Sequence, residues 1–291
     1  MATPLRANPK KKRRTLSEKE KVGADKAEKR IIPVGEVEDY ANILAYARGK
    51  VGKTTFGASA APELKTLIID FNEQGTISVK KRKNVFRYEV QYWEELDWIF
   101  WYLKAGKHDY KVVVLDTVTS MAQICMKFAL GDEAARDASR DPMVPDKRAW
   151  GKVGELMKLR IIDFRNLPMH TVFLAHERVT ESEDDETEET RIEVVPSLSP
   201  APRETLIGAV HVIGRMYVRE VEKISKKQKK SIKVQERRML IGPHDKYISG
   251  VRVDPASDFK PPRVVRNPTL PYFITNILPA VEKEQNLGEE D

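Results

Sequence analysis

An α/β fold with a central, mostly parallel sheet flanked by helices follows from three features of the chain. NILAYARGKVGKTTFGAS (42–59) reads as a buried strand, a glycine-containing loop and a helix start. KVVVLDTVTSM (111–121) is a β-branched run that ends in an acid. Around these two, short apolar runs alternate with segments of helical period, the order that builds a parallel sheet by helical crossovers.

In chain order, residues 1–30 are polar and lysine-rich and bury too little apolar surface to offset the entropy of ordering, so a disordered basic arm is expected there. Its PKKKRR run fits a nuclear import signal, a nucleic-acid-binding tail or a solvated terminus. The globular pattern spans residues 31–280 and opens with the apolar run Ile43, Leu44, Ala45 and Tyr46. Gly49 and Gly52 then allow turns, and Lys53, Thr54 and Thr55 begin a helix that Pro62 helps to stop. Backbone amides of such a loop converge on one point, a seat for phosphate. Lys53 would reach the β- and γ-phosphates, and the Thr54 hydroxyl would ligate Mg²⁺. The expected nucleotide-binding set is Arg48, Gly49, Lys50, Val51, Gly52, Lys53, Thr54 and Thr55. Ala47 stands where the G-x-x-x-x-G-K-[ST] pattern has its first glycine, a small change if its φ is negative. Lys50 is an extra cation in the loop, open to phosphate, DNA or solvent.

LKTLIID (64–70) is a buried strand with Asp70 and Glu73 at its tip, and VFRYEV (85–90) is a further strand. In the helical segment that follows, Trp93, Leu96, Phe100 and Leu103 recur at core spacing. The run ending at Asp116 is a Walker B strand, whose carboxylate would share the Mg²⁺ with Thr54. Helices are expected at 119–130 and 150–165, with a polar connection between them. MHTVFLAHER (169–178) brings His176 and Glu177 to the carboxyl edge of the sheet, where ligands bind. An acidic loop (180–190), a returning strand, and a strand or helix-plus-strand over 206–218 come next. MYVREVEKI and VQERRMLIG form a C-terminal β-hairpin with a basic tip. YISGVRV, a proline-punctuated stretch, a short helix at 272–278 and an acidic tail at 281–291 complete the chain.

The 291 residues carry a net charge of +7, with Lys+Arg 51 against Asp+Glu 44. Positive charge gathers at 10–14 and 223–233, negative charge at 181–189 and 289–291, and nucleic acid is the polyanion this distribution suggests. One cysteine, Cys125, excludes an internal disulfide and a cysteine-cluster zinc site. Without an apolar run of about 20 residues or a signal-peptide core, a cytoplasmic protein with no membrane partner is expected.

The order of strand, phosphate loop, strand ending in acid, DTVTS and AHE resembles the RecA-type branch of P-loop ATPases. YARGKVGKTTF, LIIDFNEQGT, VVVLDTVTSM, VFLAHER and the basic hairpin are similar, more narrowly, to phage-encoded nucleotide-binding proteins that include the Sak-type RecA-core single-strand annealing proteins. The resemblance implies a RecA-like ATPase core that uses ATP and Mg²⁺, binds single-stranded DNA and assembles as a homo-oligomeric ring or filament. It implies a role in phage recombination or replication in a bacterial host, with a phage single-strand-binding protein or exonuclease as partner. Lys53, Thr54 and Asp116 match the family's phosphate-loop and Walker B residues. Glu73 is the nearest match to the glutamate that orients the attacking water, one residue beyond the usual place, which Asn72 holds. Either a one-residue shift in the loop restores the geometry or hydrolysis is weak, and Asp70 is the other candidate. His176 matches a γ-phosphate sensor, with a structural histidine as the other reading. Arg252 is either a finger for a neighbouring subunit's site or a surface arginine. Lys226, Lys227, Lys229 and Lys230 either track a DNA backbone or form a solvated hairpin tip. A nucleotide-switched loader with little hydrolysis and a helicase or packaging motor are the alternative functions; the chain length argues against the motor.

Overall fold

A computed structural model describes residues 22, 26–28, 30–31, 40–61, 63–136, 141, 143–183, 190–224, 231–253 and 259–278. Contacts divide the chain into Met1–Asp39 and Tyr40–Asp291. In the first unit, residues 22 and 26–28 are helical, and the Arg30 N–H donates to the Ala27 carbonyl at 2.9 Å. Most of the expected basic arm, the lysines 226, 227, 229 and 230, acidic-loop residues 184–189 and the acidic tail lie outside the described residues.

The second unit is built on a sheet whose parallel core has the order β3 (Val85–Glu89), β2 (Thr66–Asp70), β4 (Val112–Asp116), β5 (His170–Glu183), β1 (Asn42–Ala47) and β7 (Val212–Ile224). Every residue of β1, β2 and β4 is buried, as expected of strands covered on both faces. Alternate side chains feed two cores. Leu44, Tyr46, Ile69, Leu115 and Phe173 face one core with helices α2 (Glu95–Lys104), α3 (Val118–Arg136), α4 (Lys147–Arg165) and α5 (Pro200–Ala209). Ile43, Ala45, Ile68, Val114 and Leu174 face the other. There they meet Phe56 of α1 (Lys53–Gly57), Leu270 of α6 (Leu270–Tyr272) and the wide helical turn Phe273–Ile277.

The expected helix-core residues Trp93, Leu96, Phe100 and Leu103 are all buried. Helix α1 is shorter than expected and passes into a 3-10 turn at Ala58–Ala60. Helix α4 starts ahead of the expected Trp150, because Asp146 caps it by accepting from the Ala149 N–H at 2.8 Å. The 206–218 stretch divides into the end of α5 and the start of β7.

Strand β5 outruns the parallel core and pairs antiparallel with β6 (Thr190–Pro196) from Glu177↔Pro196 to Glu183↔Thr190. Part of the expected acidic loop is therefore strand, because backbone pairing overrides its polar composition. The expected hairpin is β7 with β8 (Ser231–Leu240), and the start of β7, from Val212 to Arg215, also pairs with β1. Short strands β9 (Gly250–Val251) and β10 (Val264–Arg266) join β7 and β8. No helix among the described residues is long and apolar enough to cross a membrane.

Candidate nucleotide site

Parallel pairing aligns Asp70 with Asp116, and Ala47 with His176, so β1, β2 and β4 end, and β5 leaves the parallel core, along one edge of the sheet. A cavity of about 570 Å³ opens there, within the size range of small-ligand sites. Gly49, Lys50, Gly52, Lys53, Thr54 and Thr55 line it from the loop, the stretch from Glu73 to Ser78 contributes Glu73, Gln74, Gly75, Ile77 and Ser78, and Asp116, Thr117, His176 and Arg237 complete it. Gly52 has φ +107 and Lys50 φ +63, so the loop turns through the left-handed region directly before α1. Ala47 is a fully buried strand residue without a positive φ, which removes the need for glycine there. Arg48 and Val51 do not line the cavity. The Arg48 guanidinium binds Glu177 at 2.9 Å, and Val51 offers its carbonyl to Arg237 at 3.1 Å.

Lys53 is 7% exposed, and its ammonium donates to the Arg48 carbonyl at 3.2 Å and the Ala47 carbonyl at 3.4 Å. It also meets His176 Nδ1 at 3.3 Å. Burial lowers its pKa, against the opposing pull of Asp116, Glu73 and Glu177. The Thr54 hydroxyl donates to Asp116 Oδ2 at 2.6 Å. Burial pushes the Asp116 carboxyl up to about 6, with the Thr54 hydrogen bond acting the other way. A buried carboxylate so poorly compensated gains from a cation placed beside it.

The open space beside this pair is kept by Gly75. A Cβ there would stand 2.7 Å from Thr54 Oγ1 and 3.2 Å from Asp116 Oδ2. One hydroxyl and one carboxylate around a small open seat fit Mg²⁺, which takes few protein oxygens and shares its shell with phosphate and water. Among the described residues no group of three or more His, Cys, Asp or Glu is arranged to hold a metal.

Glu73 reaches the same cavity and accepts from the hydroxyls of Thr117, at 3.0 Å, and Ser120. His176 Nε2 lies 3.1 Å from Glu73 Oε1. These contacts, the His176 bond foremost, hold the Glu73 carboxyl down at about 2. Asp70 is occupied elsewhere: it accepts the Glu73 N–H at 2.8 Å and the Arg87 Nε at 2.7 Å, and is fully buried. The displaced glutamate thus reaches the site through a turn tied to Asp70, in which Asn72 and Gln74 adopt positive φ.

Arg252 lies away from this cavity. Its N–H donates to the His211 carbonyl and its guanidinium to the Gly208 carbonyl at 2.7 Å, near the start of β7. Thr117, Ser120, Gly75 and Arg237 escaped the sequence reading. The hydroxyls of DTVTS directly after Asp116 were the available signal for the first two.

A family model described as an AAA domain matches residues 39–253, which include the loop, both acids, His176 and Arg237. The comparison with curated proteins gave no match. With the matched segment covering most of the chain and carrying a lysine, a hydroxyl and a buried acid around one cavity, the protein belongs to the AAA domain family of P-loop NTPases.

Proposed function

We propose that this protein is a Mg·ATP-dependent ATPase that binds single-stranded DNA and acts in phage recombination or replication. It works in the bacterial cytoplasm as a homo-oligomeric ring or filament, beside a phage single-strand-binding protein or exonuclease. The ATPase reading rests on one observation: Glu73 is held by Thr117, Ser120 and His176 at the cavity that Lys53, Thr54 and Asp116 also line. The DNA and phage readings rest on the lysine run at 223–233 and on the resemblance to RecA-core annealing proteins.

The loop amides and Lys53 hold phosphate oxygens. Thr54 and Asp116 would hold Mg²⁺, which when bound neutralises charge on the phosphates. Glu73 accepts a hydrogen bond from the attacking water and aligns it. Hydrogen bonds from Thr117, Ser120 and His176 already occupy the Glu73 carboxylate, so Glu73 contributes orientation more than basicity. The same feature favours a second reading, a nucleotide-switched loader that hydrolyses little.

ATP turnover measured with no DNA, with single-stranded DNA and with duplex across a salt series separates the two. Stimulation by single strands that weakens with salt supports the first reading, and nucleotide binding without stimulation supports the loader. Turnover that survives Lys53→Ala would remove the phosphate-loop assignment. Replacing Lys226, Lys227, Lys229 and Lys230 together by alanine should weaken strand binding and flatten its salt dependence.

A further inference from the structure

Strand β8 sends an arginine across the phosphate loop of its own chain. Arg237 lies two residues before Met239 and four before Ile241, both buried in the core that contains Phe56 of α1. The period of two puts Arg237 on that same face, beside the loop. Its backbone is fixed from both sides, by pairing with Val218 on β7 and by the Asn267 N–H donating to its carbonyl at 2.7 Å.

The side chain is exposed and lines the nucleotide cavity. Its Nε donates to the Val51 carbonyl at 3.1 Å, and a Cβ on Gly52 would stand 2.7 Å from that Nε. Glycine at 52 thus serves two purposes: it accepts a left-handed φ and lets the arginine pass close over the loop. Neighbouring Glu236 pairs with Arg238. Among the described residues no carboxylate lies within ion-pair distance of Arg237. One N–H anchors the guanidinium, and among the described residues neither Nη group has a hydrogen-bond partner, so the two can form a fork for phosphate oxygens.

We propose that Arg237 is a phosphate ligand of the nucleotide, supplied in cis by β8. The inference rests on the nucleotide-site reading and adds a third cation to Lys53 and Lys50 at that cavity. It also joins the bound nucleotide to the strand that leads from the basic hairpin tip.

The test is equilibrium binding of mant-ATP, mant-ADP, mant-AMP and a labelled single-stranded DNA to the full chain, alongside the melting temperature of the nucleotide-free protein. Arg237→Gln should weaken mant-ATP binding about 10- to 100-fold. Arg237→Lys should lie between, having kept the charge and lost the fork. The effect should shrink markedly for mant-AMP, while the nucleotide-free melting temperature stays at the wild-type value.

Unchanged mant-ATP affinity in Arg237→Gln, with binding abolished in Lys53→Ala, would overturn this inference alone. Equal losses for all three nucleotides with a lowered melting temperature would make Arg237 a strut of the loop and also overturn it. A loss confined to single-stranded DNA affinity would assign the fork to DNA phosphate and overturn it as well. Failure of the wild type to bind any of the three would overturn the nucleotide reading together with this one.

Discussion

Glu73 and His176 meet at the carboxyl edge of the sheet, with His176 Nε2 3.1 Å from Glu73 Oε1 and 3.2 Å from Oε2. An ionised carboxylate only accepts, so Nε2 carries the proton in this contact. Nδ1, 3.3 Å from the Lys53 ammonium, is then the acceptor. One tautomer therefore satisfies both neighbours and connects the phosphate-loop lysine to the candidate water-orienting acid. His176→Ala should cut kcat about 100-fold through loss of Glu73 alignment, with a much smaller change in ATP affinity. His176→Gln, which can still donate, should recover part of that loss. Steady-state kinetics with thermal melting decide it; an unchanged kcat in a stable His176→Ala protein would reduce the histidine to a structural role.

Asp116 makes the nucleotide-free protein pH-sensitive. Its carboxyl is raised from an ordinary 3.8 to about 6, so between those values the native state keeps a proton that the unfolded chain has lost. Stability therefore falls as pH rises through that window. Asp116→Asn removes the dependence and should be the more stable protein above pH 6, by up to about 3 kcal/mol, with the difference vanishing near pH 4. Glu73 has the opposite sign: its carboxyl is lowered from 4.5 to about 2, so its contribution is lost only as pH falls below the ordinary value. Urea denaturation at pH 4 and 7.5 without nucleotide separates the two groups. Identical pH profiles for wild type and Asp116→Asn would show that burial does not penalise this charge.

Helix α1 lies close against the sheet at Gly57. A Cβ there would stand 2.8 Å from Val114 Cγ1 and 3.5 Å from Leu174 Cδ1, both on fully buried residues. Overpacking costs about 1 to 3 kcal/mol, and the helix preference of alanine returns up to about 1. Gly57→Ala should therefore lose up to about 2 kcal/mol on balance. Adding Val114→Ala should cost less in that background than in the wild type, which a double-mutant cycle by urea denaturation would measure.

The parallel strands were legible because their signal is local: Ile43–Tyr46, Val112–Leu115 and the residues before His176 are apolar runs that end where loops begin. The pairing of β1 with β7 was not, since Ile43 meets Val212 across most of the chain and no local pattern records the partner. That pairing brings the hairpin to the phosphate loop, so Arg237 was invisible while Lys53 was plain. Strand β10 was missed because three residues between prolines carry no period, and it forms by antiparallel pairing with β8. Gly75 gave no sign either, as its role lies in the atoms it omits beside Thr54 and Asp116.

That omission gives the narrowest test of the metal seat. The φ of Gly75 is not positive, so alanine meets no backbone strain there, and its cost is contact alone. The contact falls on the Thr54–Asp116 pair, whose 2.6 Å hydrogen bond leaves little slack, with a Cβ 2.7 Å from Thr54 Oγ1. Gly75→Ala should still fold, with a lowered urea midpoint, because Thr54 and Asp116 must shift toward the open cavity to clear the methyl group. Its ATP affinity in the presence of Mg²⁺ should fall about 10-fold or more, whereas binding in EDTA should change much less, because the methyl group fills the ion's seat and leaves the loop amides free. Titration of mant-ATP with and without Mg²⁺ reads both quantities. Full Mg²⁺ enhancement in the variant would move the ion away from Thr54 and Asp116.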